Sequence, residues 1–224
     1  MSVPARRLAA ALCALALLAL APSSAHARKS KATPGGPLDE GRLDPTYFGG
    51  PREFREAEDI DYLWVKDGFA IDGHTFQFAA WPDPIFLGDA KPDADDRRLA
   101  HQMNEELPKL FQESLGAQWS GRAKTSMTEG DVRVEGRIVD CSAGSVAAKA
   151  FVGFGAGAGN TTVDLRFTDA KTGELLAAVH QRVVSGTNWS TTDSKMAHWI
   201  DEFGKAVAKD GLSHLYEKGK VADE

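Results

Sequence analysis

Two segments in the second half of the chain alternate apolar and polar residues, and this alternation constrains the fold more than any other feature. In Asp131–Cys141, Val132, Val134 and Ile138 fall on one side and Arg133, Glu135 and Arg137 on the other. Thr161–Thr168 repeats the pattern, with Val163, Leu165 and Phe167 against Asp164, Arg166 and Thr168. Period two with one polar side marks half-buried antiparallel strands. A returning strand, Leu175–Val184, follows Asp169-Ala170-Lys171-Thr172-Gly173-Glu174, a hairpin turn in which Gly173 supplies the positive φ.

Two earlier segments, Ile60–Lys66 and His74–Trp81, are rich in aromatic and β-branched residues and are separated by Asp72-Gly73. They read as two strands with a turn, the second ended by Pro82 and Pro84. Leu99, Met103, Leu107, Leu110, Phe111 and Leu115 recur at steps of three and four, which predicts a helix from Asp95 or Asp96 to about Leu115, kinked at Pro108 and ended by Gly116. Met196, Ile200, Phe203, Val207, Leu212 and Leu215 predict a second helix from about Ser194 to Glu217. The expected fold is α+β: a single mainly antiparallel sheet of about five strands, in the order β-β-α-β-β-β-α, with two long helices on one face. This single domain is expected over residues 51–220.

Residues 1–27 read as a secretory signal peptide. Arg6 and Arg7 precede the apolar run Leu8–Ala21, Pro22 breaks it, and Ala25-His26-Ala27 has the small-x-small form of a cleavage site. The run falls short of the ~20 residues that span a bilayer. Cys13 follows Leu12 and sits inside the run, which argues against lipidation. Residues 28–50 hold eight prolines and glycines and read as a flexible leader, so that folding starts near Pro51. Loss of Arg6 and Arg7 with the signal takes the formal charge from −6 to −8. That balance leaves no excess of Lys and Arg for phosphates, so no nucleic-acid partner is expected. The mature chain has no transmembrane helix by this reading, keeps only Cys141, and is expected in the periplasm or outside the cell.

The chain has no G-x-S-x-G or S-x-x-K, and its histidines have no metal-ligand spacing. No catalytic residue, metal or cofactor is therefore expected. Cys141 reads as a buried or simply unpaired thiol. Asp89, Asp93, Asp95 and Asp96 lack the spacing of a calcium loop and read as acids at a helix N-terminus. Arg133, Glu135, Arg137, Asp164 and Arg166 are expected to form a solvated cross-strand ladder on one sheet face. A docking surface would require that face to be uncovered.

The most distinctive stretch is Phe151-Val152-Gly153-Phe154-Gly155-Ala156-Gly157-Ala158-Gly159. It fits G-x-G-x-x-G/A in letter, but a strand follows it where nucleotide binding needs a helix. Together with Val134–Ala150, Val163-Asp164-Leu165 and the Asp169-x-x-Thr172-Gly173 hairpin, it resembles the bacterial envelope family called domain of unknown function 4410. That family's pattern is a strand, a Gly-Ser-like turn, a basic residue, Gly-Phe-Gly-Ala-Gly, another strand and the hairpin. Here Lys149 stands where Arg is common, and the lipoprotein signal of many relatives is missing. The resemblance implies an exported envelope protein and supplies no catalytic residues. The expected function is a non-catalytic interaction or scaffolding module with an envelope protein partner, through Lys149, Gly153, Phe154, Gly155 and Gly157. The alternative is a binding protein for a small anion or envelope polymer through the Gly153–Gly159 loop, and a hydrolase ranks last.

Overall fold

The computed structural model describes residues 38–144, 158–185 and 191–222. In chain order the strands and helices are β1 (Arg55–Ala57), β2 (Ile60–Val65), β3 (Thr75–Phe78), α1 (Ala94–Gln118), β4 (Lys124–Ser126), β5 (Val132–Ser142), β6 (Asn160–Asp169), β7 (Leu175–Val184), α2 (Thr192–Asp210), α3 (Leu212–Lys218) and β8 (Lys220–Val221). The strands form one mixed sheet in the order β4-β3-β5-β6-β7-β2-β1-β8.

The three long strands make the centre of this sheet. β5 pairs with β6 from Val132↔Asp169 to Ser142↔Asn160, and β6 pairs with β7 from Asn160↔Val184 to Thr168↔Leu175. The period-two pattern of β5 and β6 sets their register, because a one-residue slip would turn every apolar side chain to the wrong face. The hairpin between β6 and β7 is closed by Asp169, whose side chain accepts from the amides of Lys171 and Thr172 at 3.0 and 2.7 Å. Gly173 takes φ 74°, as the turn requires.

Val132, Val134, Ile138, Val163, Leu165 and Phe167 are buried in one core with the apolar stripes of all three helices. Phe111 and Leu115 enter it from α1, and Met196, Ile200, Phe203 and Val207 from α2. The start of α1 is a capping box. Asp93 accepts from the amides of Asp95 and Asp96, and Asp96 accepts in return from the Asp93 amide. Asp93, Asp95 and Asp96 serve the helix terminus as expected, whereas Asp89 stands ahead of it and pairs with Arg42 at 3.1 Å.

The architecture departs from the expectation in five respects. The sheet has eight strands rather than about five, because β1, β4 and β8 are two or three residues long and too short to carry a period. It is mixed rather than mainly antiparallel at one edge, since β3 runs parallel to both β4 and β5. Parallel neighbours need a long crossover, and α1 provides it. β2 and β3 are not partners: β2 lies between β7 and β1, four places from β3. The second long helix is broken at Gly211 into α2 and α3. The first helix, by contrast, continues through Pro108 to Gln118.

The fifth departure bears on function. Ordered packing begins before Pro51. Residues 38–54 form a strap with short turns at Leu38–Gly41 and Pro45–Phe48, and they cover the sheet face opposite the helices. Leu43, Phe48 and Phe54 are buried there with Tyr62, Ala178 and Ala222 in a second, smaller core. The aromatic rings pack edge to face, Phe48 on Phe54 at 5.4 Å and Phe54 on Tyr62 at 6.5 Å. A Pro/Gly-rich segment thus orders because a few large apolar side chains find a prepared surface.

Candidate functional site

Two regions bear on function: the end of the β5–β6 ladder, where the glycine block departs, and the polar sheet face under the strap. Lys149, Gly153, Phe154, Gly155 and Gly157 lie outside the described residues. The structure brings together the two chain ends that flank them. Ser142 ends β5 directly opposite Asn160, which begins β6. The amide of Ala143 donates to Asp96 at the start of α1 at 2.8 Å. Gly159 is held by Ser185, whose side-chain oxygen accepts from the Gly159 amide at 2.8 Å and whose own amide donates to the Gly159 carbonyl at 2.9 Å. Both ends of the block are therefore fixed to the body, one beside the N-terminus of α1 and one against the end of β7.

The polar face of β5, β6 and β7 is not the solvated ladder that the alternation suggested. Arg137 and Asp164 are buried and bonded at 2.7 Å. The other oxygen of Asp164 lies 2.5 Å from His180 Nδ1, and His180 Nε2 lies 3.0 Å from Asp39 of the strap. Arg42, also in the strap, donates to Asp140 at 2.8 Å and to Glu40 at 2.7 Å. The Tyr47 ring packs against two guanidinium groups, Arg137 at 3.8 Å and Arg166 at 4.8 Å from its centroid. Only toward the far end is the ladder wet. Arg133 is exposed, and Glu135 joins it to Arg166 at 3.0 and 2.7 Å.

Burial shapes the protonation of this face. For His180, burial opposes the charge, but Asp164 and Asp39 outweigh it and push the ring's titration up to about 9. For Arg42, burial likewise works against the charge and is offset by Glu40 and Asp140, so the guanidinium is held more basic than usual. The hydroxyl and amide of Thr46, followed by Arg137, keep Asp44 below the usual carboxylate range. Burial pushes the Tyr47 phenol up, and pushes Tyr62 to about 12.

The sequence singled out Arg133, Glu135, Arg137, Asp164 and Arg166 as sharing a face, and they do. It missed Asp39, Arg42, Asp140 and His180. A signal for His180 was present, since it directly follows the apolar run Leu175–Val179 of β7 and stands opposite Asp164. Cys141 is a free, buried thiol as expected. A second histidine–carboxylate pair, His74 with Asp131, is partly exposed at the start of β3, where Asp131 also accepts from the Thr75 amide at 2.6 Å. An open cleft of about 410 Å³ between β1 and α3 is rimmed by Glu56, Glu58, Lys209, Asp210, His214 and Lys218, charges of both signs. No helix among the described residues is long and apolar enough to cross a membrane.

Several solved structures resemble the chain at low identity. A PelC dodecamer from Paraburkholderia phytofirmans aligns at 11% identity and TM-score 0.40, covering 64% of this chain and 96% of that one. A Xanthomonas campestris protein of the DUF330 family aligns at 7% and TM-score 0.37, covering 69% and 91%. A protein described as a lipoprotein from Caulobacter crescentus CB15 aligns at 14% and TM-score 0.28, covering 50% and 84%. No curated protein matches the chain. A family model does match, over residues 64–187, from the end of β2 to just past β7. That match spans more than half of the sequence, and the chain belongs to the family described as Domain of unknown function (DUF4410).

Proposed function

We propose that the protein is an exported, non-catalytic interaction or scaffolding module of the cell envelope that meets a protein partner through the block Lys149, Gly153, Phe154, Gly155 and Gly157. The observation that carries this reading is the internal pairing of its buried ionisable groups. Among the described residues, Asp39, Arg42, Arg137, Asp140, Asp164 and His180 are buried, and each bonds to another member of the set. A catalytic site needs ionisable groups that converge on a space a substrate can occupy. Here they converge on one another and hold the strap to the sheet. The helices cover one sheet face and the strap covers the other except near Arg133 and Arg166, and the end of the β5–β6 ladder is the favoured contact region. Export is supported by Arg6-Arg7, the apolar run Leu8–Ala21 and Ala25-His26-Ala27, with cleavage after Ala27.

The test is site-specific photocrosslinking in intact cells, with the reactive group at Phe154 and, as control, at the exposed Glu113 on α1. The expected result is one discrete protein adduct from position 154, none from position 113, and loss of the adduct in Lys149→Ala at unchanged melting temperature. N-terminal sequencing of the same material is expected to begin at Arg28. No adduct from position 154, or an adduct only with an envelope polymer, would overturn the interaction reading. A chain that keeps Met1 and stays inside the cell would overturn export.

A further inference from the structure

The contact between the strap and the sheet is centred on one ring. His180 is completely buried, and each of its two nitrogens faces a carboxylate oxygen: Asp164 on β6 at 2.5 Å and Asp39 on the strap at 3.0 Å. An ionised carboxylate can only accept hydrogen bonds, and a neutral imidazole carries one N–H. Both contacts are satisfied together only by the imidazolium. If the ring were neutral, one nitrogen lone pair would face a carboxylate in a buried site, at a cost comparable to an unmade buried hydrogen bond.

The backbone of the strap also shows that it is held in place. Asp39 and Glu40 are consecutive non-glycine residues with φ 44° and 55°. Such a conformation is costly for L-residues and persists where surrounding contacts enforce it.

We propose that residues 38–54 are a proton-gated latch: the His180 imidazolium holds Asp39 against the sheet, and loss of its proton lets the strap lift while the sheet and helices stay folded. The charges around the ring are consistent with this. Asp164 faces it from β6 and is itself shared with Arg137 of β5 at 2.7 Å. Asp39 faces it from the strap, and Arg182 of β7 lies 4.0 Å from Asp39 and 3.7 Å from Glu40. Tyr62 of β2 packs edge-on against the ring at 5.4 Å between centroids. With the strap lifted, the ring keeps Asp164 and loses Asp39. It therefore binds its proton less tightly in the open form, and opening releases the proton. By linkage, the opening equilibrium rises with pH, by at most about tenfold per pH unit, until the docked ring itself titrates. Burial, then Asp164 and Asp39, place that upper limit at about 9.

Arg42 gives the readout. It is buried in the docked strap, so trypsin reaches the Arg42–Leu43 bond only when the strap lifts. The experiment measures cleavage after Arg42 in the full chain between pH 6.5 and 9.5 by mass spectrometry, divided at each pH by cleavage of a peptide spanning residues 38–48. Helical circular dichroism is followed in parallel. The expected result is a normalised rate that rises several-fold or more per pH unit, with helix content unchanged. Asp39→Asn, which alters the strap alone, is expected to raise the rate at pH 7 and to remove its rise with pH, because docking then no longer strengthens the ring's hold on its proton. His180→Gln is expected to behave the same way. A flat rate in the native chain, an undiminished pH dependence in Asp39→Asn, or loss of helix together with the strap would each overturn the latch.

Discussion

Arg42 and Asp140 meet at 2.8 Å across 98 residues of sequence, with 7% and 8% of their side chains exposed. This pair fixes the N-terminal strap to the end of β5. Removing one partner leaves a buried, uncompensated charge, which typically costs ~3–5 kcal/mol. Arg42→Leu is therefore expected to lower stability by that order in urea unfolding. Arg42→Leu combined with Asp140→Leu is expected to recover most of the loss, since two apolar groups can replace a buried ion pair at little cost. A double variant no more stable than the single would show that the pair's geometry, rather than its charge balance, is what the strap needs.

Gly136 sits opposite Leu165 in the β5–β6 ladder, and a β-carbon at that position would run into the indole ring of Trp81. Trp81 is buried against Phe111 of α1, with ring centroids 5.9 Å apart, and has little room to retreat. Gly136→Ala is expected to lower stability by ~1–3 kcal/mol through overpacking. The tryptophan signal in near-UV circular dichroism is expected to change. A stable variant with an unaltered spectrum would mean that the ring is free to move.

The raised titration of His180 sets the sign of the pH dependence of folding above neutrality. Burial disfavours its charge, but Asp164 and Asp39 prevail, and the folded ring titrates at about 9 against about 6.5 for an unperturbed histidine. A group raised in this way contributes its full stabilisation below about 6.5, and the contribution falls as pH rises and is gone above about 9. The loss is of the order of 3 kcal/mol. In acid the sign reverses. Asp44 is held low by Thr46 and Arg137, and Asp72 by Arg122, so both contribute above the usual carboxylate range and lose that contribution as pH falls. Denaturant midpoints are expected to be highest near pH 5–6.5. Midpoints that stay flat from pH 6 to 9.5 would show that His180 is folded in its neutral form.

Cys141 is the single cysteine of the described residues. Burial pushes its thiol up to about 11, partly offset by a hydrogen bond from Thr161 at 3.5 Å. Reactivity follows thiolate population and access. Labelling by a disulfide reagent at pH 8 is expected to be at least ~100-fold slower in the native protein than in denaturant, on the strength of burial alone. Rapid labelling in the native state would place the end of β5 in contact with solvent.

The glycine turn after Asp169, the inward faces of β5 and β6 and both apolar helix stripes were legible because each is set by residues close in sequence. Period two and period 3.6 are local signals, and a turn is chosen by the four or five residues that form it. Val134, Ile138, Leu165 and Phe167 are buried under the helices as their alternation predicted. The edge strands β1, β4 and β8 were not legible, because two or three residues carry no period and pair only when a neighbour is already in place. Asp72-Gly73 does turn the chain, but whether two strands flanking a turn become partners depends on which other edges are free. Here β7 and β1 take both edges of β2.

The sequence by itself determined the central sheet, the helical cover and the family, and the proposed export rests on the pattern Arg6-Arg7, Leu8–Ala21 and Ala25-His26-Ala27 alone. The tertiary structure decided the fate of the charged face. Composition classes residues 38–50 with flexible leaders, since their prolines and glycines propagate no regular element. Only a folded sheet offers Arg42 the carboxylate of Asp140 and Asp39 the buried imidazole of His180. Those contacts join residues 98 and 141 positions apart, and no local pattern encodes them. Their energy depends on distance and burial in space, which exist only once the chain has folded.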